Sequence, residues 1–200
     1  MGTRRGYHHG NLRRALLDAA LAMFVARGSF DFTLRELARE AGVTHNAPYR
    51  HFAGKSELLA ALREEGFGAL AEACRAALVA AGPDDVRARV RALGEAYVRF
   101  AVGHPHHFRL MLYDPLGGEG PAPAREPGGA FALLQGSLEE ARAAGVVRAD
   151  LPTREIALAA WALVHGLASL MVERHVPADE ARLRRHVKVL DALFFEGASA

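Results

Sequence analysis

Between Thr33 and Lys55, two short helical patterns are joined by only three residues, Ala41-Gly42-Val43. That spacing constrains the fold more than any other feature of the chain. Thr33-Leu34-Arg35-Glu36 has the form of a capping box, in which the hydroxyl satisfies a free backbone N–H and the carboxylate reaches back to the cap. Leu34, Leu37, Ala38 and Ala41 give this short helix one inner face. Gly42 ends it, because glycine enters the left-handed region without a steric cost, and Val43 follows as an apolar plug. Thr44 is placed to cap a third helix running to about Phe52, with Pro48 near its first turn. Two short helices joined by such a turn form a helix-turn-helix.

In that motif the second helix enters the major groove of DNA with its N-terminal residues at base edges. The residue types suit the task. A helix N-terminus at Thr44 offers free N–H groups and partial positive charge to a phosphate. His45, Asn46 and Ala47 are not bulky enough to block approach; Asn46 can form two bonds to adenine and Ala47 can touch a thymine methyl. Tyr49, Arg50 and His51 follow on the exposed side, with Lys55 just beyond. Tyr49, His51 and Lys55 suit phosphate oxygens, which set register without reading sequence. Thr33, at the head of the preceding helix, joins the candidate DNA contacts. Arg4 and Arg5 lie on an arm able to reach phosphate or an adjacent minor groove. Charge agrees: residues 1–56 hold nine Lys/Arg against four Asp/Glu, a net of +5, and the rest hold sixteen against nineteen, a net of −3. A basic head on a mildly acidic body fits a polyanionic partner.

The remaining chain is helical throughout. Leu12, Ala15, Leu16, Ala19, Ala20, Met23 and Phe24 mark a first helix over 11–27, and further helices are expected over 56–81, 85–103, from His104-Pro105, over 130–144, over 152–174 and over 177–195. Pro115 to Gly129 is rich in Pro and Gly and reads as a loop. The expectation is an all-α fold of about nine helices, with a three-helix DNA-binding domain over 1–56 and a helical ligand-binding and dimerisation domain over 57–200.

Several classes are excluded or weakened. The longest apolar stretch, Ile156 to Val172, is broken by His165 and Ser169, so no membrane partner is expected. The start of the chain has no apolar signal region, which predicts a cytoplasmic protein. A single cysteine, Cys74, rules out an intrachain disulfide and a cysteine zinc cluster. His8-His9 and the run His104, His106, His107 match no metal-ligand spacing, so no metal and no cofactor are expected. No Ser/His/Asp pattern and no phosphate-cradling loop points to an enzyme.

Trp161 and His165 share a helical face, and Gly166 permits close helix approach. They read either as a pocket wall with His165 as its polar group, or as core around a satisfied histidine. Phe67, Tyr97, Phe100, Phe108 and Met111 can line the same cavity or simply fill a core. On the last two helices Leu163, Leu167, Leu170, Val187, Leu190, Leu193 and Phe194 exceed what one inner face needs. Such helices must be covered, by a second copy or by a deeper core.

The run Thr33-Leu-Arg-Glu-Leu-Ala-Arg-Glu-Ala-Gly-Val-Thr, with Ala47-Pro-Tyr-Arg-His-Phe and Lys55-Ser-Glu-Leu-Leu, resembles the TetR-type repressors over about the first 60 residues. Trp161-Ala-Leu-Val-His-Gly166, together with His104-Pro105 and Phe108-Arg-Leu-Met, is similar to a subgroup with a Trp-His-Gly signature in its C-terminal domain. The resemblance implies a homodimer that reads a near-palindromic double-stranded operator and is released by a small-molecule effector. It also implies that Tyr49, His51 and Lys55 touch DNA backbone, that Phe52 packs inside, and that the last two helices form a two-fold interface. Pro48 departs from the pattern, where an open-chain apolar residue is usual. A regulator that activates transcription, or binds DNA without a ligand, remains the alternative.

Overall fold

The structure is a computed structural model that describes residues 12–112 and 128–198. Arg4, Arg5, His8, His9 and most of the Pro/Gly-rich tract lie outside the described residues. Among those described, every regular element is helical: α1 (Leu12–Arg27), α2 (Leu34–Glu40), a 3₁₀ turn (Pro48–Arg50), α3 (Lys55–Ala81), α4 (Val86–Gly103), α5 (Pro105–Leu112), α6 (Ala130–Ala143), α7 (Thr153–Val172) and α8 (Glu180–Ala198). The chain divides into two compact units, Met1–Glu65 and Gly66–Ala200.

The first unit is closed by the apolar faces of α1 and α2 together with the chain on either side of the 3₁₀ turn. Leu16, Leu17, Ala20, Leu37, Phe52, Leu58 and Leu62 are buried. Between α1 and α2, Phe24 and Phe30 stack with ring centres 4.0 Å apart. Arg27 donates to the Asp31 carbonyl and to Glu36, tying the α1–α2 connection across its ends.

In the second unit α4 is central, packing against α7, α6 and α8. One cluster gathers Phe67, Leu70, Cys74, Tyr97, Val98, Phe108, Met111 and Met171. A second joins Val90, Phe131, Leu138, Val147, Ile156 and Phe195. Gly94 lets α4 approach its neighbours, since a Cβ there would lie 3.2 Å from Val164. Gly166, expected to serve that purpose, is exposed, and a Cβ there would meet nothing.

By length and composition α7 could cross a membrane, with a mean hydropathy of 1.7 despite His165 and Ser169. Its apolarity has other uses in this fold. Ile156, Ala157, Ala160, Ala168, Met171 and Val172 are buried. Trp161, Leu163 and Val164 face a cavity, and Leu158 and Leu170 remain exposed.

The third helix expected over 44–52 is not formed as an α-helix. With Thr44 as the cap, Pro48 occupies the first position whose N–H would close a helical bond, and proline has none. The segment falls back on shorter bonds, Ala47 N–H to Thr44 carbonyl at 2.9 Å and Arg50 N–H to Ala47 carbonyl at 3.2 Å. Thr44 therefore caps no helix, and only Pro48–Arg50 forms a 3₁₀ turn.

Candidate nucleic-acid interface and ligand cavity

The turn that leads into the exposed segment over 44–55 is built locally. The Thr33 hydroxyl accepts from the Glu36 N–H at 3.2 Å, and the Thr33 N–H donates to the Glu36 carboxylate at 2.8 Å, completing the capping box. These bonds hold the Glu36 carboxyl below its ordinary range, first through the Thr33 backbone N–H. At the other end Gly42 takes φ +68°, the Gly42 N–H reaches the Arg39 carbonyl and the Val43 N–H reaches the Ala38 carbonyl. This pair of bonds is a Schellman termination.

Past that turn the chain alternates anchors with exposed groups. Pro48 and Phe52 are buried, while Thr44, His45, Asn46, Tyr49 and Arg50 are exposed and His51 is half-buried. Tyr49, between buried Pro48 and exposed Arg50, keeps 51 % of its surface open. Lys55 opens α3 with its Nζ 5.3 Å from the centre of the Phe32 ring, which holds the ammonium near the surface. Ala47 differs from expectation. It is buried, so it packs rather than meeting a thymine. The Thr33 hydroxyl is engaged by Glu36, although the residue itself is exposed.

The second unit holds a cavity of about 80 Å³ that is partly open to solvent. Phe67, Tyr97, Phe108, Met111 and Trp161 line it as anticipated. Phe100 does not; it is buried behind the wall, 5.0 Å from the His104 ring. His165 is also absent from the wall. Its Nδ1 lies 2.9 Å from the Tyr97 hydroxyl, and the Trp161 ring stands 5.9 Å away. Burial lowers the His165 pKa. It also pushes the Tyr97 phenol up to about 12, against the pull of a hydrogen bond from Trp161. Both groups are therefore neutral near pH 7. The tyrosine hydroxyl and Nδ1 share this hydrogen bond as two uncharged groups. His165 thus sets the orientation of a wall residue without lining the cavity.

Four residues expected at a dimer interface also line the cavity: Val187 is buried and Leu190 and Phe194 are half-buried, whereas Leu163 stays exposed. On α8, Val187, Leu190 and Phe194 recur at helical spacing, and Val187 lies opposite Gly94 of α4. Leu167 is half-buried against the core, whereas Leu170 and Leu193 stay 46 % and 60 % exposed. Sequence reasoning missed Arg91 and Asp191, which add charge to the otherwise apolar wall. A salt bridge between residues 100 apart leaves no periodic signal.

Two family models cover most of the chain. Residues 16–62 match that of the bacterial regulatory proteins, tetR family. Residues 90–190 match that of the tetracyclin repressor-like C-terminal domain. The chain belongs to the TetR family. A protein of unknown function from Rhodococcus sp. RHA1 is 35 % identical, with a TM-score of 0.82 over 98 % of this chain and 100 % of that one. A Shewanella sp. PV-4 protein assigned to the TetR transcription regulators superposes with a TM-score of 0.73 over 94 % and 98 % of the two chains. At 21 % identity that likeness concerns the fold. The regulator SrpR of Pseudomonas putida is 54 % identical over 50 residues, only 25 % of this chain and 24 % of SrpR. With its TetR family established, the segment Thr33–Phe52 is the helix-turn-helix of a bacterial regulatory protein.

Proposed function

We propose that this chain is a cytoplasmic transcription repressor that binds a near-palindromic operator as a homodimer and leaves it when a small apolar molecule occupies the cavity of the second unit. The observation that carries the reading is the alternation across 44–55. Buried Pro48 and Phe52 fix the segment from beneath, while Asn46, Tyr49 and Arg50 stand free to meet a duplex. Asn46 and Arg50 carry the hydrogen-bonding capacity for base edges, and Thr44, Tyr49, His51 and Lys55 suit phosphates. Arg4 and Arg5 supply the arm contacts.

Two features support the rest. The exposed stripe of Leu170 and Leu193, with the bare surface at Gly166, is suited to a two-fold contact between copies. A mostly apolar cavity with few polar groups is the usual form of a small-molecule site. A bound molecule can weaken DNA binding only by favouring an arrangement of the two DNA-binding units that fits successive major grooves poorly, these being roughly 34–36 Å apart. Such a sensor returns its ligand unchanged, and a turnover assay separates it from an enzyme.

The test is titration of the purified protein with duplex from upstream of its own gene, at several salt concentrations. Lys55→Ala should weaken binding and lower the salt slope by about 1, and Tyr49→Phe should weaken it more mildly. Unaltered affinity and slope in both variants would remove the phosphate roles assigned to these side chains.

A further inference from the structure

The cavity has a polar corner that the reading above does not use. Asp191 of α8 and Arg91 of α4 both stand on its wall. The Asp191 side chain is only 6 % exposed, and its Oδ2 faces the Arg87 guanidinium at 3.3 Å and that of Arg91 at 3.7 Å. Arg87 is itself held over the Phe195 ring, 4.7 Å from its centre. Oδ1, by contrast, is buried, and no donor among the described residues reaches it. A buried carboxylate oxygen without a donor forgoes the hydrogen bonds it had in water, a loss that folded proteins normally make good. Asp191, which carries this oxygen, is one of the residues that line the cavity.

We propose that Asp191 Oδ1 anchors the molecule this cavity binds, and that the molecule is neutral and largely apolar with one hydroxyl or N–H donor. The proposal rests on the reading of the cavity as the effector site. Charge decides against the alternatives. Two guanidinium groups already surround one carboxylate, so a cation would add a third positive charge beside an apolar wall. An anion would have to approach the Asp191 carboxylate itself. The other wall hydroxyl, on Tyr97, is already engaged in a hydrogen bond with His165. Leu70, Leu93, Phe108, Leu134 and Trp161 supply the surface for an apolar body.

Calorimetric titration of the full-length protein with 1-octanol, octyl methyl ether, octylammonium and octanoate tests this, because the four share a chain and differ only in the head. 1-Octanol should bind about tenfold more tightly than the ether, the difference a hydrogen bond to a charged acceptor makes. Asp191→Ala and Asp191→Leu should make the two bind alike; if either variant fails to fold, the comparison among probes on the native chain decides alone. Equal affinity for octanol and ether in the native chain overturns the anchor while leaving the cavity reading intact. Tighter binding of octylammonium or of octanoate overturns it in favour of a cationic ligand or of Arg91 as the anchor. Failure of all four to bind overturns the effector-cavity reading, and the anchor falls with it.

Discussion

At the scale of single residues, the pair Tyr97–His165 ties protonation to packing. The imidazole accepts a proton on Nδ1 only as the neutral ring, and burial keeps it neutral. The unfolded chain binds that proton near the ordinary histidine value of about 6.5, while the folded chain resists it. Below that value the unfolded state therefore holds more protons, and stability falls as pH falls. His165→Gln, which keeps an acceptor without the titration, should lose less midpoint temperature than the native chain between pH 7 and pH 5 in thermal melts. A parallel decline would show that other groups carry the dependence. The sequence made Trp161 and His165 visible as a pair because four residues put them on one helical face. Tyr97, 68 positions from His165, stayed unlinked, since pairing across a bundle depends on how the helices dock. Burial likewise pushes the Cys74 thiol up to about 12, which makes it a poor nucleophile in the folded protein.

Among the elements, helix endings show where a local rule suffices and where it stops. The helices α2, α6 and α7 close with the same two bonds, a 5→2 followed by a 6→1, at Gly42–Val43, Gly145–Val146 and Arg174–His175. The first two place glycine at the left-handed position, and the third places Arg174 there with φ +62°. An L side chain in that region costs roughly 1–2 kcal/mol. Arg174→Gly should therefore stabilise the fold by up to about that amount in urea melts, and Gly42→Ala should destabilise it comparably. Capping boxes, glycine stops and breaks at Pro were legible because each acts within a turn of chain. The segment after Gly42 departs from the expected helix because of where Pro48 falls relative to the cap. Pro48 costs little at the first helical residue, but four residues past the cap it removes the first bond of the ladder.

For the whole molecule, the difficulty lay in α7 and α8. Their apolar residues were visible, and the all-α class followed from their spacing. Their division among core, cavity and exposed face was not, because three different neighbours impose the same demand for apolar side chains. Val187 lies buried within the protomer, where Leu170 and Leu193 stay exposed. If a second copy covers them, Leu170→Glu with Leu193→Glu should reduce the mass in light scattering from twice 21.5 kDa to 21.5 kDa. The same change should weaken operator binding, because two half-sites would no longer be held together. Dimers that persist at micromolar concentration would assign the contact to another face.

The chain has a single tryptophan, and the fold sets it in the cavity wall beside Phe131 and His165. Its emission therefore arises wholly from that wall. Any molecule that enters displaces water from the indole or touches it, and the colour or intensity of the light changes. The protein carries its own unlabelled optical gauge of occupancy, readable in a crude compound screen before any operator or effector is known.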